Sequence, residues 1–179
     1  MPRLSLERMQ ELMGAHGEYE RLNDIDGVMS TLVEDPVFEF HPQNIRVQGR
    51  AAVREMYTRL CRTILRQFAT NNETRKATAL DRFGGQDSHM IALVADTTGK
   101  FLPENQSRMF IELELGYTPE HGPTERFRIC QIVTFEGERM VGERTYTDSE
   151  CAVLFDEVLG PDFLHLPGVT RSTPAPESL

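Results

Sequence analysis

The chain has few cysteines and no long apolar run, and both shortages exclude classes of protein. Cys61, Cys130 and Cys151 are odd in number and widely spaced, so they fit neither a disulfide framework nor a paired-cysteine zinc site. No stretch approaches the roughly 18 apolar residues of a membrane-spanning helix. Charges near the N-terminus interrupt the apolar region that a signal peptide needs. We therefore expect reduced thiols, no membrane partner and a cytoplasmic location.

Acidic side chains outnumber basic ones by 28 to 19, which gives the chain a formal net charge of −9. Nucleic acid is an unfavourable partner, because association would begin with like-charge repulsion. The sequence lacks a phosphate-binding glycine loop, a nucleophile elbow and closely spaced metal ligands, and its five histidines are scattered. We expect no metal and no cofactor, and an apolar small molecule as the ligand.

The spacing of apolar residues predicts three helices followed by a run of strands. Apolar residues recur every three or four positions from Leu6 to about Leu22, again behind Asn23 or Asp24, and again after Gly49. A hairpin of two short strands, 37–40 and 45–47, separates the second and third helices. Farther along the chain the period becomes two, which predicts strands at 75–81, 89–96, 109–117, 127–135 and 140–148.

This order predicts an α+β fold, a cone in which three N-terminal helices pack on a strongly bent, mainly antiparallel sheet. With 179 residues, 39% of them apolar, the chain can bury one core, and we expect a single domain over 1–159. From Gly160 onward four prolines and little apolar content predict a flexible tail over 160–179. A cone closed by helices leaves a cavity, which polar side chains on core-facing stripes would line.

Polar residues interrupt two apolar stripes. In the strand 127–135 every second residue is apolar except Gln131. A buried amide must be hydrogen-bonded, so Gln131 either orients a ligand or bonds a neighbouring group. His16 lies on the stripe of the first helix, where it is either a candidate for acid–base chemistry or a satisfied core histidine.

The first hairpin carries another candidate pair. Glu39 and His41 share one face of their strand, and Phe40 lies on the other. Either both polar residues point inward as a carboxylate–imidazole pair, or both are solvated while Phe40 packs inside.

The last strand places Asp148, Tyr146 and Arg144 on one face. The carboxylate and the phenol could supply a general base and a hydrogen-bond donor for a developing enolate. Alternatively, Arg144 pairs with a carboxylate of an adjacent strand, and the row faces solvent or a partner subunit.

Three segments carry a family resemblance. The sequence DIDGVMSTLVEDPVFEF, followed by VQGRAAVREMYTRL and then by TFEGERMVGERTYTD, resembles the SnoaL-like and ketosteroid isomerase-like branch of the nuclear transport factor two superfamily. The likeness covers roughly residues 9–155 and implies a cystatin-like cone. Members that look like this include isomerases, polyketide cyclases, dehydratases, epoxide hydrolases and binding proteins, so the resemblance implies a pocket without fixing the reaction.

The resemblance to ketosteroid isomerase can be followed residue by residue. It places the isomerase's general-base aspartate on Phe40, its oxyanion-hole tyrosine on His16 and its protonated aspartate near Gln131. An arene cannot shuttle a proton, whereas histidine and glutamine can both donate a hydrogen bond. The resemblance to SnoaL-like cyclases at the closing strand implies Asp148 as one replacement for the base.

These patterns favour a cofactor-independent isomerase, cyclase or dehydratase acting on an apolar carbonyl-containing substrate in the cone cavity. His16 and Gln131 would polarise the oxygen while Asp148 or His41 moves the proton. The alternatives are a non-catalytic small-molecule-binding module and a protein-interaction scaffold, and a buried carboxylate near His16 would favour the enzyme. The resemblance also implies a homodimer. The candidate catalytic residues are His16, Asp148 and His41, and the candidate substrate-binding residues are Gln131, Phe40, Tyr57 and Tyr146.

Overall fold

The computed structural model describes residues 3–65, 89–96, 105–117, 123 and 125–172, and at 64–65, 89–96 and 113–116 it describes the backbone alone. The predicted strand at 75–81 lies outside the described residues. In chain order the helices are α1 (Leu6–Arg21), α2 (Ile25–Ser30), α3 (Arg50–Leu60) and α4 (Ser149–Leu159). The strands are β1 (Leu32–His41), β2 (Ile45–Gln48), β3 (His89–Asp96), β4 (Gln106–Tyr117), β5 (Glu125–Glu136), β6 (Arg139–Thr147) and β7 (Val169–Arg171).

The first three helices begin and end close to the positions predicted from their apolar stripes. Ser5 caps α1 by accepting a hydrogen bond from the backbone N–H of Arg8 at 3.2 Å. Asp24 caps α2 in the same way, through the backbone N–H of Gly27 at 2.9 Å. The apolar face of α3 is buried at Val53, Met56, Tyr57 and Leu60. The helices therefore present one face each to a common core.

The strands form one curved sheet in the order β3-β4-β5-β6-β1-β2-β7. All neighbouring strands in this order are antiparallel except β1 and β6, which are parallel. This arrangement confirms the predicted α+β class and the mainly antiparallel sheet. In the described part of the chain, no helix has the length and apolar character needed to cross a bilayer.

A bulge in β6 decides which of its residues face the core. Phe135 of β5 pairs with Met140, but the preceding residue Thr134 pairs with Gly142, so Val141 is the extra residue. Cross-strand partners share a face, and Phe135 and Met140 are both buried. Beyond the bulge the inward positions are therefore the odd ones, 143 and 145.

Gly142 is required at this bulge. Its φ angle is +149°, and a Cβ at this position would lie 1.7 Å from the carbonyl oxygen of Val37 on β1. Only glycine lets β1 and β6 approach this closely. The bulge and the glycine together fix the orientation of the rest of β6.

The segment after Gly160 differs from its prediction. Residues 161–165 form a 3₁₀ helix, and β7 pairs with β2. Phe163 is fully buried, with the Arg59 guanidinium 5.5 Å above its ring, and Arg59 also bonds Asp162 at 2.8 Å. Residues 160–172 therefore carry regular structure that packs on β2 and α3, within the segment for which the sequence predicts a flexible tail. Contacts with α3, distant in sequence, compensate for the low apolar content of this segment.

Candidate functional site

The inner face of β5 is apolar except at one position, as the alternation along the strand predicts. Ile129 and Val133 are buried, and Gln131 between them keeps partial exposure. The side-chain N–H of Gln131 donates a hydrogen bond to Glu143 on β6 at 2.6 Å. The amide on the apolar row is therefore paired with a carboxylate on the neighbouring strand.

Glu143 is the acidic member of this pair. Thr145, two residues farther along β6 and buried, also donates to Glu143, and both hydrogen bonds end on the same oxygen, Oε1. The other oxygen, Oε2, accepts no hydrogen bond from the described residues. Glu143 faces the inner side of the sheet, beside Val133 of β5, and is partly exposed.

Burial raises the pKa of Glu143 to about 7, because a charged carboxylate loses its hydration there. The hydrogen bond from Thr145 opposes this rise in pKa, the negative charge of Glu20 adds to it, and His16 and Gln131 oppose it. A carboxyl group with a pKa near neutrality can both accept and return a proton.

His16 of α1 is 1% exposed and lies close enough to Glu143 to affect its pKa. Its Nδ1 is 2.6 Å from the hydroxyl oxygen of Thr31, and its Nε2 is 2.9 Å from the hydroxyl oxygen of Tyr57. The same Nε2 is 3.2 Å from Oε1 of Glu20. We call His16, Glu20, Thr31 and Tyr57 the His16 network. Both ring nitrogens are occupied, so a ligand has no free imidazole nitrogen to contact.

Tyr57 belongs to the same buried group and is 3% exposed. Burial raises its pKa well above the ordinary value of 10, and the charges of Glu20 and Glu143 raise it further. The phenol is therefore neutral and keeps its proton. Phe38 packs edge-on against its ring, with 5.5 Å between the ring centroids.

Phe40 occupies the position that the resemblance gives to the isomerase's base. It is buried and packs against Phe155 of α4, with 5.5 Å between the ring centroids. On the neighbouring strand β6, Thr145 pairs with Phe40 and Glu143 pairs with Phe38. A carboxylate is thus present beside this position, but β6 supplies it instead of β1.

His41 lies on the opposite face of the sheet from Gln131 and Glu143. Its ring stacks on Tyr146, with 4.7 Å between the centroids, and Tyr146 is 40% exposed. Glu39, on the same face, bonds Arg46 at 2.6 Å and Arg144 at 2.7 Å. The arginine pairs explain the outward orientation, so neither His41 nor Tyr146 faces the inner side.

Asp148 lies at the start of α4, whereas the alternation along the last strand predicts it on a face of the sheet. It follows the end of β6 and caps α4, where its Oδ1 accepts from the backbone N–H of Cys151 at 2.8 Å. Its Oδ2 accepts from the backbone N–H of Arg128 at 3.2 Å. A carboxylate engaged in these two bonds holds the start of a helix. Its position favours a structural role over proton transfer.

Sequence reasoning missed Glu143. Strict alternation from Met140 places position 143 on the outer face, whereas the bulge at Val141 turns it inward. The signal that could have found it is Gly142, since a glycine inside a strand often marks a bulge.

A cleft of about 310 Å³ opens on another part of the surface. Its walls include Thr31 of the His16 network together with Leu12, Arg139 and Met140, but neither Gln131 nor Glu143. The described residues contain no group of three histidine, cysteine, aspartate or glutamate side chains that could hold a metal ion.

Comparisons with known proteins identify the fold. No protein-family model matches the sequence, and no curated protein does. A nuclear transport factor two-like protein with a cystatin-like fold from Novosphingobium aromaticivorans is 14% identical, with a TM-score of 0.51 over 86% of this chain and 88% of that one. A ketosteroid isomerase-like protein from Erwinia carotovora atroseptica is 14% identical, with a TM-score of 0.52 over 80% and 96%.

A candidate polyketide cyclase from Xanthomonas campestris pv. campestris is 15% identical, with a TM-score of 0.50 over 85% of this chain and 97% of that one. At such identities a structural likeness defines the fold and leaves the activity open. The chain therefore has a cystatin-like fold, similar to that of these nuclear transport factor two-like proteins. This confirms the predicted cystatin-like fold.

Proposed function

We propose that the chain is a cofactor-independent enzyme that moves a proton beside the carbonyl of an apolar small molecule, as an isomerase, cyclase or dehydratase. The observation that supports it is Glu143, which is partly exposed on the inner face and whose pKa is raised to about 7. A general base works best when its pKa lies near the working pH.

The proposed step uses the two partly exposed side chains of the inner face. Oε2 of Glu143 takes a proton from the carbon next to the carbonyl. The electron pair of the C–H bond forms the carbon–carbon double bond of the enolate, and the π pair of the carbonyl moves onto its oxygen. Gln131 has one N–H engaged with Glu143, and its second N–H can donate to the developing enolate. The protonated Glu143 then returns the proton to another carbon in an isomerisation, or to a leaving hydroxyl in a dehydration.

The surroundings of Glu143 favour catalysis over simple binding. The carboxylate is within electrostatic reach of the buried His16, which lowers its pKa, and this is the arrangement expected of the enzyme. His16 would act by positioning its neighbours, because its own nitrogens are occupied. The names of the Erwinia and Xanthomonas relatives agree with this reaction class.

The test combines a turnover screen with one substitution. Wild type is assayed against β,γ-unsaturated ketones and β-hydroxy ketones of graded size, and each active compound is assayed again with Glu143→Gln. We expect the substitution to lower kcat by 100-fold or more, as is typical for loss of a general base, while the folded state is kept. Undiminished turnover by Glu143→Gln would contradict the proposal.

A binding module of the same fold is the second candidate, and the arene at Phe40 favours it. Phenols whose phenolate form mimics an enolate distinguish the two functions. The enzyme should bind them more tightly as the pKa of the phenol falls, since the site stabilises negative charge. A module that only holds apolar ligands should bind them according to size, and Glu143→Gln should leave this binding unchanged.

A further inference from the structure

Three ionisable side chains meet in the His16 network, in a part of the core where polar groups are rare. His16 is buried and its partner Glu20, one turn farther along α1, has a side chain that is 23% exposed. Tyr57 joins them from α3. Because buried polar groups need hydrogen-bond partners, the positions of the protons in this network follow from its geometry.

The proton on Nδ1 is fixed by Thr31. A hydroxyl has one proton, and that of Thr31 is directed to the backbone carbonyl oxygen of Val28 at 2.7 Å. Toward His16 the hydroxyl oxygen can therefore only accept. With the hydroxyl proton placed on the bond to Val28, Nδ1 of His16, 2.6 Å away, is the donor.

The proton on Nε2 is fixed by Glu20. An imidazole nitrogen without a proton has a lone pair, which would face a carboxylate oxygen at 3.2 Å. Two acceptors at that distance repel each other, so Nε2 carries a proton. The hydroxyl of Tyr57 then gives its proton to Glu20, with which it is also hydrogen-bonded, and its oxygen accepts from Nε2.

We propose that Glu20 holds His16 as an imidazolium ion, and that Glu20 is thereby a positioning residue for the inner face. The ion pair fixes the imidazole ring and orients the Tyr57 hydroxyl. It also places a positive charge close to Glu143. This inference rests on the proposed function for its catalytic meaning, but the protonation of His16 can be measured without any substrate.

The charged and ionisable groups around the ring come from several elements. Glu20 and His16 lie on α1, Tyr57 on α3, and Glu143 on β6. Cys61 follows α3, and burial raises its pKa to about 12, with a further contribution from Glu20, so its thiol is neutral. The positive ring thus lies near two carboxyl groups, and the hydroxyl oxygens of Thr31 and Tyr57 accept from its two N–H groups.

The experiment measures the nitrogen shifts of the His16 ring by ¹⁵N–¹H correlation at pH 7.5 in the full chain. Both ring nitrogens should have the shift of protonated nitrogen in wild type, which a solvated histidine does not have at this pH. In Glu20→Gln one nitrogen should move to the unprotonated shift. Glu20→Asp should restore part of the protonated signal.

Glu11→Gln is the matched control, since Glu11 lies on the same helix with its side chain 56% exposed in a pair with Arg8. It should leave the His16 spectrum unchanged. An unprotonated ring nitrogen in wild type would overturn the inference, and so would a Glu20→Gln spectrum identical to that of wild type. If a substituted chain fails to fold, the wild-type spectrum by itself still tests the inference. A failure of the Glu143 turnover test would leave this result standing.

Discussion

At the scale of single residues, the proposed activity depends on Glu143. It is a partly exposed carboxyl group on a largely apolar inner face, with one oxygen engaged by Gln131 and Thr145 and no hydrogen bond from the described residues to the other. Partial burial penalises the charge, while the two hydrogen bonds compensate for part of the penalty. The result is a side chain that changes its charge near neutral pH.

This placement predicts how stability depends on pH. The pKa of Glu143 is about 7 in the folded chain and 4.5 ordinarily, so the folded state binds the proton more tightly. The stabilisation is complete below about pH 4.5 and is lost as the pH rises through about 7. Glu143→Gln has no such loss and should be the more stable form at pH 8, by roughly 2 kcal/mol after allowing for partial exposure.

Urea unfolding of both chains between pH 5 and 8 measures the difference. The gap in the free energy of unfolding between Glu143→Gln and wild type should widen with rising pH. Glu138→Gln is the control, because Glu138 is exposed and its hydrogen bond with Arg8 lowers its pKa. A gap that stays constant with pH for Glu143→Gln would contradict the placement of this carboxyl group.

At the scale of elements, helices and strands could be predicted because their signals are local. Ser5 and Asp24 cap the helices that they precede, and the alternation along β5 places Gln131 on the inner row. The inward position of Glu143, which bonds Gln131 from β6, could not be predicted, because one extra residue reverses the alternation and only the pairing of β5 with β6 reveals it. Phe163 was missed for a related reason, since its partners lie on α3.

The junction between β6 and α4 gives a prediction about Asp148. Asp148→Ala should cost about 1 to 2 kcal/mol of stability, because it removes the cap of α4 and a second acceptor. Asp148→Asn should cost less, since asparagine still accepts from the backbone N–H of Cys151. Both should retain the kcat of wild type on any substrate found, as measured alongside urea unfolding. A loss of turnover in Asp148→Asn without a loss of stability would return Asp148 to the catalytic candidates.

At the scale of the whole molecule, we propose a homodimer that buries the outer face of the sheet. Phe110 and Tyr146 are large side chains that remain 36% and 40% exposed on that face, on β4 and β6. Phe110 pairs with Ile132 of β5, so the apolar surface continues across adjacent strands. An apolar patch of this kind is typical of a surface that contacts another protein.

Sedimentation velocity over micromolar concentrations tests the dimer. Wild type should sediment with twice the mass of one chain, and Phe110→Glu should shift it toward one chain, since two buried charges would oppose each other across the interface. Val153→Glu is the control, because Val153 is 58% exposed on α4, away from the sheet. A wild-type mass of one chain, or a Phe110→Glu chain that remains dimeric, would contradict this proposal.

The most direct measurement for the central claim is the titration of the Glu143 carboxyl carbon by ¹³C NMR in the full chain. The titration of Glu143 should have its midpoint near pH 7, because burial on the inner face raises the pKa of this carboxyl group. The signal is assigned by its absence from Glu143→Gln. A midpoint near the ordinary carboxyl pKa of 4.5 would contradict the proposed role of Glu143 as a general base. Glu143 would then be a solvated surface carboxylate with no special capacity to move a proton.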